Sequence, residues 1–139
     1  MRIFKRALIT GISGSGGSYL AEYIIKNQKK TKVFGIYRTK TKNLTNLIKK
    51  KSNLINWDLN NYNKVQSSIK IIKPDVIFHL ASNADVKKSF DYPREIINNN
   101  NNCTLNLLEA IREAKINPII QICSTSEVYG MVNKKETPI

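Results

Sequence analysis

A glycine-rich segment near the N-terminus, residues 10–17, has the residue types and spacing of a phosphate-binding turn. It contains Gly11, Gly14 and Gly17, follows an apolar run at residues 6–10 and precedes a stretch with helical periodicity at residues 18–26. Glycine lets the backbone approach a pyrophosphate closely, and the amides at the start of the following helix meet its negative charge. Spacing and context together predict a dinucleotide-binding turn, whereas a tight structural turn is the alternative.

The residues after the second apolar run, residues 32–37, should distinguish two dinucleotides. Binders of NAD usually carry an acidic residue about 20 residues beyond the turn, where it accepts the ribose 2′-hydroxyl, whereas an arginine suits the 2′-phosphate of NADP. This chain has Tyr37, Arg38, Thr39 and Lys40 there, with no acid. The sequence therefore favours NADP over NAD, and the alternative for Arg38 is an ordinary surface cation.

Asp58 comes directly after a third apolar run, residues 54–57. In a sheet with strand order 3-2-1-4-5, the end of the third strand is within reach of the adenine of a bound dinucleotide. We therefore predict an adenine contact for Asp58, with a turn-capping role as the alternative.

Alternating strands and helices would position these residues. The predicted strands are residues 6–10, 32–37, 54–57, 75–81 and 118–123, and the predicted helices are residues 18–26, 62–72, about 93–100 and a firmer one that ends near residue 115. This alternation predicts an α/β fold, a Rossmann-like parallel sheet of about five strands in the order 3-2-1-4-5 with helices on both faces. The asparagine tract at residues 98–102 falls in a helical region, and we interpret it as coding bias.

Composition limits the other classes of function. The chain has 139 residues, about one domain, and is 41% hydrophobic and 24% charged, as in globular proteins. It has no apolar run long enough to span a membrane and no signal-peptide core, so we expect a cytoplasmic protein with reduced, buried thiols at Cys103 and Cys123. His79 is expected to be a core or sheet-end residue rather than a ligand, and no cluster of Cys, His and carboxylates has metal-site spacing.

The net charge of +13, from 23 basic and 10 acidic residues, could indicate a nucleic-acid partner or a membrane surface. The sequence has no helix-turn-helix, zinc or aromatic-stacking signature of nucleic-acid binding. We therefore interpret the charge as compositional bias on solvated faces and expect neither partner.

With these residues in place, the sequence resembles the extended short-chain dehydrogenase/reductases that act on nucleotide sugars, and among them the GDP-mannose 4,6-dehydratase family. The resemblance covers essentially the whole chain. Its matching segments are ALITGISGSGGSYLAEY (7–23), WDL (57–59), FHLASNADVKKSF (78–90), TLNLLEAIREA (104–114) and CSTSEVYG (123–130).

The resemblance implies roles for residues spread from Gly11 to Glu127. It implies cofactor binding by Gly11, Ile12, Ser13, Gly14, Ser15, Gly16, Gly17, Arg38, Asp58, Leu59, Leu80, Ala81, Ser82, Asn83 and Ala84. It also implies substrate binding by Ser89 and Ser126, and catalysis by Thr125 and Glu127.

The implied reaction converts GDP-mannose to GDP-4-keto-6-deoxymannose with NADP. A hydride leaves C4, Glu127 removes the C5 proton, the C6 hydroxyl departs as water, and the hydride returns to C6. Thr125 would hydrogen-bond the 4-oxygen of the sugar. A positioned general base such as Glu127 contributes roughly a hundred- to ten-thousand-fold.

The family's Tyr-x-x-x-Lys pair should fall roughly ten residues beyond Thr137, and this sequence stops at Ile139. We therefore expect residues 1–139 to be a partial NADP-binding Rossmann domain that does not turn over substrate alone, from an enzyme that is a homo-oligomer at full length. Two other functions remain open: a nucleotide-sugar 4-epimerase or reductase, and a non-catalytic dinucleotide-binding module.

Overall fold

A computed structural model describes residues 4–125, 128, 130–133 and 135, which form one sheet flanked by helices. The elements are β1 Arg6–Thr10, α1 Ser15–Asn27, β2 Lys32–Tyr37, α2 Asn46–Lys51, β3 Ser52–Asn56, α3 Tyr62–Ile72, β4 Val76–His79, α4 Val86–Asp91, α5 Pro93–Glu113 and β5 Ile119–Ile122.

The sheet is parallel throughout, and its strand order β3-β2-β1-β4-β5 confirms the prediction. β1 is the central strand, in which Leu8 is level with Phe34 of β2 and with Ile77 of β4. Because parallel strands run in one direction, their carboxyl ends meet at one edge of the sheet, where open α/β folds bind ligands.

Backbone and side-chain hydrogen bonds join the segments at the opposite, amino-end edge. The Asp75 carboxylate accepts from the backbone amides of Lys5 and Arg6, at 2.9 and 2.8 Å. Thr31 Oγ1 donates to the carbonyl of Phe4 at 2.6 Å. These contacts fix the starts of β1, β2 and β4 relative to each other.

A hydrophobic core lies on each face of the sheet, because side chains alternate along a strand. On one face, Leu8 of β1 packs with α3 and α5 in a cluster that includes Ile69 and Leu107. On the other face, Ala7 and Ile9 pack with α1 and α2. Burial on both faces explains why the strands are almost continuously apolar.

The structure confirms the predicted bounds of β1, β2 and α3 and corrects several helices. Two short helices, α2 and α4, were not predicted, and each begins with a capping side chain: Thr45 accepts from the amide of Ile48, and Asp85 accepts from that of Lys88. The two helices expected between residues 93 and 115 are one continuous helix, α5.

The prediction of two buried thiols is correct for Cys103 and wrong for Cys123, which is exposed. Cys103 lies on the inner face of α5, in the core. Cys123 follows β5, the edge strand, and no other strand in the described part of the chain pairs along the outer side of β5. Ile119 and Ile122 of the same strand are also exposed.

Within the described ranges, no helix combines the length and apolar character needed to cross a bilayer. The same residues contain no group of three or more His, Cys, Asp or Glu side chains arranged to hold a metal ion.

Candidate functional site

The glycine-rich segment forms the tight turn between β1 and α1. Gly11 has a φ of +71°, and a Cβ there would lie 2.9 Å from the backbone of Ala81. At Gly17 a Cβ would collide with the carbonyl oxygen of Gly11 and lie 2.8 Å from Ile12 Cα. These two glycines therefore let β1, α1 and the segment after β4 pack closely, and Gly14 lines the cleft in front of them.

The start of α1 is suited to an anion. The helix begins at Ser15, its first turn contains no acidic residue, and no side chain among the described residues caps it. The first backbone N–H groups of a helix lack partners within the helix and carry a partial positive charge. This end of the 13-residue helix borders the cleft at Gly14.

The loop after β2 is tied to this turn through the Ser13 carbonyl. Thr41 Oγ1 donates to that oxygen at 2.6 Å and Asn43 Nδ2 donates to it at 3.3 Å. The next amide, that of Gly14, donates to the carbonyl of Gly11 at 2.9 Å. Both sides of the Ser13–Gly14 peptide are therefore held, so the turn is fixed from the loop that carries Arg38.

Arg38 and Asp58 face each other across the cleft at the ends of β2 and β3. Arg38 Nη1 lies 3.7 Å from Asp58 Oδ2. Asp58 Oδ1 also accepts from the amide of Asn60 at 2.9 Å, so Asp58 has the turn-capping contact as well as a position in the cleft. Both charged side chains are about half exposed, and an exposed ion pair contributes only about 0–1 kcal/mol. Exchanging this pair for a ligand phosphate would therefore cost little.

His79 lies at the end of β4 and links three elements. Its Nδ1 is 2.7 Å from Thr10 Oγ1 and its Nε2 is 3.0 Å from Thr104 Oγ1. The Thr104 hydroxyl donates to the carbonyl of Asn100 and can therefore only accept from His79, which assigns the imidazole proton to Nε2. Thr10 Oγ1 in turn accepts the amide of Ala81 and donates to Nδ1. Burial lowers the pKa of His79 below its usual value, which favours this neutral form.

The predicted site residues fall along two adjoining clefts at the carboxyl edge. The first cleft is lined by Gly11, Ser13, Gly14, Arg38, Asp58, Leu59, Leu80, Ala81 and Ser82. The second is lined by Ala81, Ser82, Asn83, Ala84, Ser89 and Thr125. Ile12 is buried under the turn, and Ser15, Gly16 and Gly17 form the first turn of α1. Ser126 and Glu127 lie outside the described residues.

Sequence reasoning missed several polar residues of this edge, among them Thr41, Asn43, Asn99 and Asn100. The interpretation of residues 98–102 as coding bias does not account for Asn99 and Asn100, whose side chains hydrogen-bond to segments on both sides of α5. The sequence signal is a run of asparagine side chains in a predicted helix, and composition alone does not distinguish such a run from coding bias.

Comparison with known proteins gives relatives along the whole chain. The model of the family described as GDP-mannose 4,6 dehydratase matches residues 8–139. A GDP-mannose 4,6-dehydratase of Vibrio cholerae is 33% identical over 146 residues, covering 96% of this chain and 38% of the relative. A GDP-mannose 4,6 dehydratase of Drosophila melanogaster is 35% identical, covering 96% of this chain and 36% of the relative. The chain thus spans about two fifths of the length of these relatives.

Solved structures agree on the fold. A UDP-glucose 4-epimerase of Thermotoga maritima with UDP-glucose superposes with a TM-score of 0.80 at 23% identity, over 93% of this chain and 41% of that one. A UDP-glucose-4-epimerase from Stenotrophomonas maltophila with bound NAD gives 0.83 at 18% identity, over 97% and 40%. At this identity the likeness shows a shared fold.

Proposed function

We propose, because this chain belongs to the GDP-mannose 4,6-dehydratase family, that the carboxyl edge of its sheet binds NADP for the dehydration of a nucleotide sugar. The observation that carries the proposal is a pair of adjoining clefts, together called the groove, which are lined by an uncapped helix start, an arginine and the segment after β4. The relatives named above are GDP-mannose 4,6-dehydratases, which supports GDP-mannose as the sugar nucleotide.

The groove fits a dinucleotide at three points. The start of α1 offers unpaired N–H groups to a pyrophosphate, and Gly14 leaves the approach open. Asp58 and Leu59 line the end proposed for adenosine, and Ala81 to Ala84 line the end proposed for the nicotinamide ribose. Solved neighbours of this fold carry NAD, which supports a nicotinamide dinucleotide here.

Arg38 is the residue proposed to select NADP. It follows β2, borders the first cleft, and is held by an exchangeable ion pair rather than by burial. A guanidinium can form charge-assisted hydrogen bonds with the 2′-phosphate of NADP, whereas the uncharged 2′-hydroxyl of NAD gives a weaker hydrogen bond. The selectivity of the chain should therefore depend on this one side chain.

The proposed chemistry takes place at the second cleft. A bound nicotinamide would supply the acceptor that holds the C4 hydride of the sugar until its delivery to C6. Thr125, which lines this cleft, would hold the 4-oxygen. By resemblance, Glu127 would remove the C5 proton while the C6 hydroxyl leaves as water. The proton lost from O4 when C4 is oxidised is balanced by the proton that C5 regains when the hydride reaches C6. The product, GDP-4-keto-6-deoxymannose, therefore equals GDP-mannose minus one water, and no external oxidant is needed.

Titration of the purified chain with NADP⁺ and NAD⁺ tests the proposal. We expect saturable binding with NADP⁺ preferred, and Arg38→Ala should weaken NADP⁺ binding roughly tenfold while changing NAD⁺ binding by less than about twofold. Arg112→Ala is the matched control, because Arg112 is another exposed, ion-paired arginine, on α5 beside Glu109. Equal loss for both dinucleotides, or salt-sensitive DNA binding without dinucleotide binding, would contradict the proposal.

A further inference from the structure

We infer that Asn99 and Asn100 are positioning residues whose side-chain amides connect the two ends of the groove. The contact of Asn100 with Asn83, at the end proposed for the nicotinamide ribose, thereby strengthens binding at the adenosine end. The inference rests on the proposed function, because it concerns the same groove. It assigns a role to the asparagine tract on α5.

The contacts form one chain across three loops. Asn99 Oδ1 accepts from Arg38 Nη1 at 3.4 Å and from Asn60 Nδ2 at 3.0 Å. Asn99 Nδ2 donates to Asn100 Oδ1 at 3.0 Å. Asn100 Oδ1 also accepts from the amide of Asn83 at 2.7 Å, and Asn100 Nδ2 donates to the Asn83 carbonyl at 3.2 Å.

The orientation of both amides is determined by groups that can act in only one way. The backbone amide of Asn83 can only donate, so the oxygen of Asn100 must face it. Asn99 must then present its nitrogen to Asn100, which leaves its oxygen toward Arg38, a side chain with donors only. A flip of either amide would place like groups against each other, so the hydrogen bonds at one end select the orientation at the other.

Successive residues of a helix point about 100° apart, which lets two adjacent asparagines serve different clefts. Asn99 lines the first cleft, with Arg38 and Asp58, and Asn100 lines the second, with Asn83. α5 packs on the core through Cys103 and Leu107, close to the tract, so it gives both amides a fixed base.

Asn100→Ala should therefore act beyond its own cleft. It removes both partners of the Asn83 backbone and the acceptor for Asn99 Nδ2, so the Asn99 amide is held at its oxygen alone and its hydrogen bond to Arg38 is weakened. Alanine is the best helix former, so α5 is not weakened by the change. We expect binding of 2′,5′-ADP, which has the adenosine end alone, to weaken about three- to tenfold.

The experiment measures 2′,5′-ADP affinity and amide hydrogen exchange on the whole chain for wild type, Asn99→Ala, Asn100→Ala and the double variant. Asn102→Ala is the matched control, because Asn102 is an exposed member of the same tract. Far-UV circular dichroism and thermal unfolding establish that each variant is folded. In the double variant the loss should equal that of Asn99→Ala, because Asn100 acts through Asn99.

Hydrogen exchange separates this inference from the proposed function. Faster exchange around Arg38 in Asn100→Ala, but not in Asn102→Ala, together with the weakened and non-additive binding, supports the inference. Unchanged exchange around Arg38, or 2′,5′-ADP affinity equal to wild type, overturns it. If the wild-type chain does not bind 2′,5′-ADP, the proposed function fails, and the exchange result alone decides whether the amides are coupled.

Discussion

Lowering the pH below about 6.5 should destabilise the fold through His79, the only histidine of the chain. His79 is 3% exposed and sits between the hydroxyls of Thr10 and Thr104. Its Nδ1 accepts from Thr10, whose hydroxyl is already engaged by the amide of Ala81. Protonation would put an N–H donor at Nδ1 against the Thr10 hydroxyl, which donates to that nitrogen, and would place a charge in the core. Burial accordingly lowers the pKa of His79.

The size of the effect follows from proton linkage. An unfolded chain binds a proton at histidine near pH 6.5, while the folded chain, with its lowered pKa, does not. The free energy of unfolding is therefore independent of this group above about pH 7.5. Below about pH 6.5 it falls by up to about 1.4 kcal/mol per pH unit, until the pH reaches the folded pKa. Stability is thus lost on acidification and regained on neutralisation.

Urea unfolding at half-unit steps between pH 7.5 and 5.0 measures this slope. His79→Gln is the comparison, since it keeps a polar side chain of similar length but does not titrate. Carboxylates contribute to both proteins alike, so the difference between the two slopes belongs to His79. An NMR titration of the His79 ring gives the folded pKa directly. A folded pKa at or above 6.5, or equal slopes in the two proteins, would refute the tautomer and burial argument.

Two further predictions concern residues of the turn and the sheet edge. Gly11→Ala should lower the free energy of unfolding by about 2–5 kcal/mol, because the positive φ and the clash with Ala81 both oppose a side chain. Gly130→Ala is the comparison, since Gly130 has a φ of +66° but no described atom within 4 Å, and it should lower the free energy of unfolding by about 1 kcal/mol. Urea titrations measure both values. Ellman's reagent should react quickly with one thiol, because Cys123 is exposed whereas burial raises the pKa of Cys103 to about 11. Cys123→Ser should therefore remove the fast phase, and an equally fast reaction of Cys103 would contradict its burial.

Sequence patterns predicted the strands well because burial on both sheet faces leaves a simple record. β1 and β2 are apolar runs bounded by polar residues or glycine, and α3 ends just before Pro74, so their ends are visible without tertiary information. α2 and α4 are six residues each, too short for a helical period to stand out. Their caps are local signals, but capping residues are equally common in turns.

The candidate site was predictable where local geometry dictates residue type and not where partners are distant in sequence. The glycines and Arg38 sit next to predicted strand ends, so position alone identifies them. The partners of Asn99 lie 61 and 39 residues away, at Arg38 and Asn60. Such pairs leave no pattern along the chain, and the exposure of Cys123 likewise depends on where its strand lies in the sheet.

The amino-end edge of the sheet is a suitable place to attach the protein to a surface. Asp75 and Thr31 make the hydrogen bonds of that edge, and it lies at the opposite end of the strands from the groove. Lys30, exposed just before β2, lies on this side, with the length of the sheet between it and Arg38. A surface tether attached at Lys30 would therefore immobilise the protein through the amino-end edge and leave the groove exposed to solution.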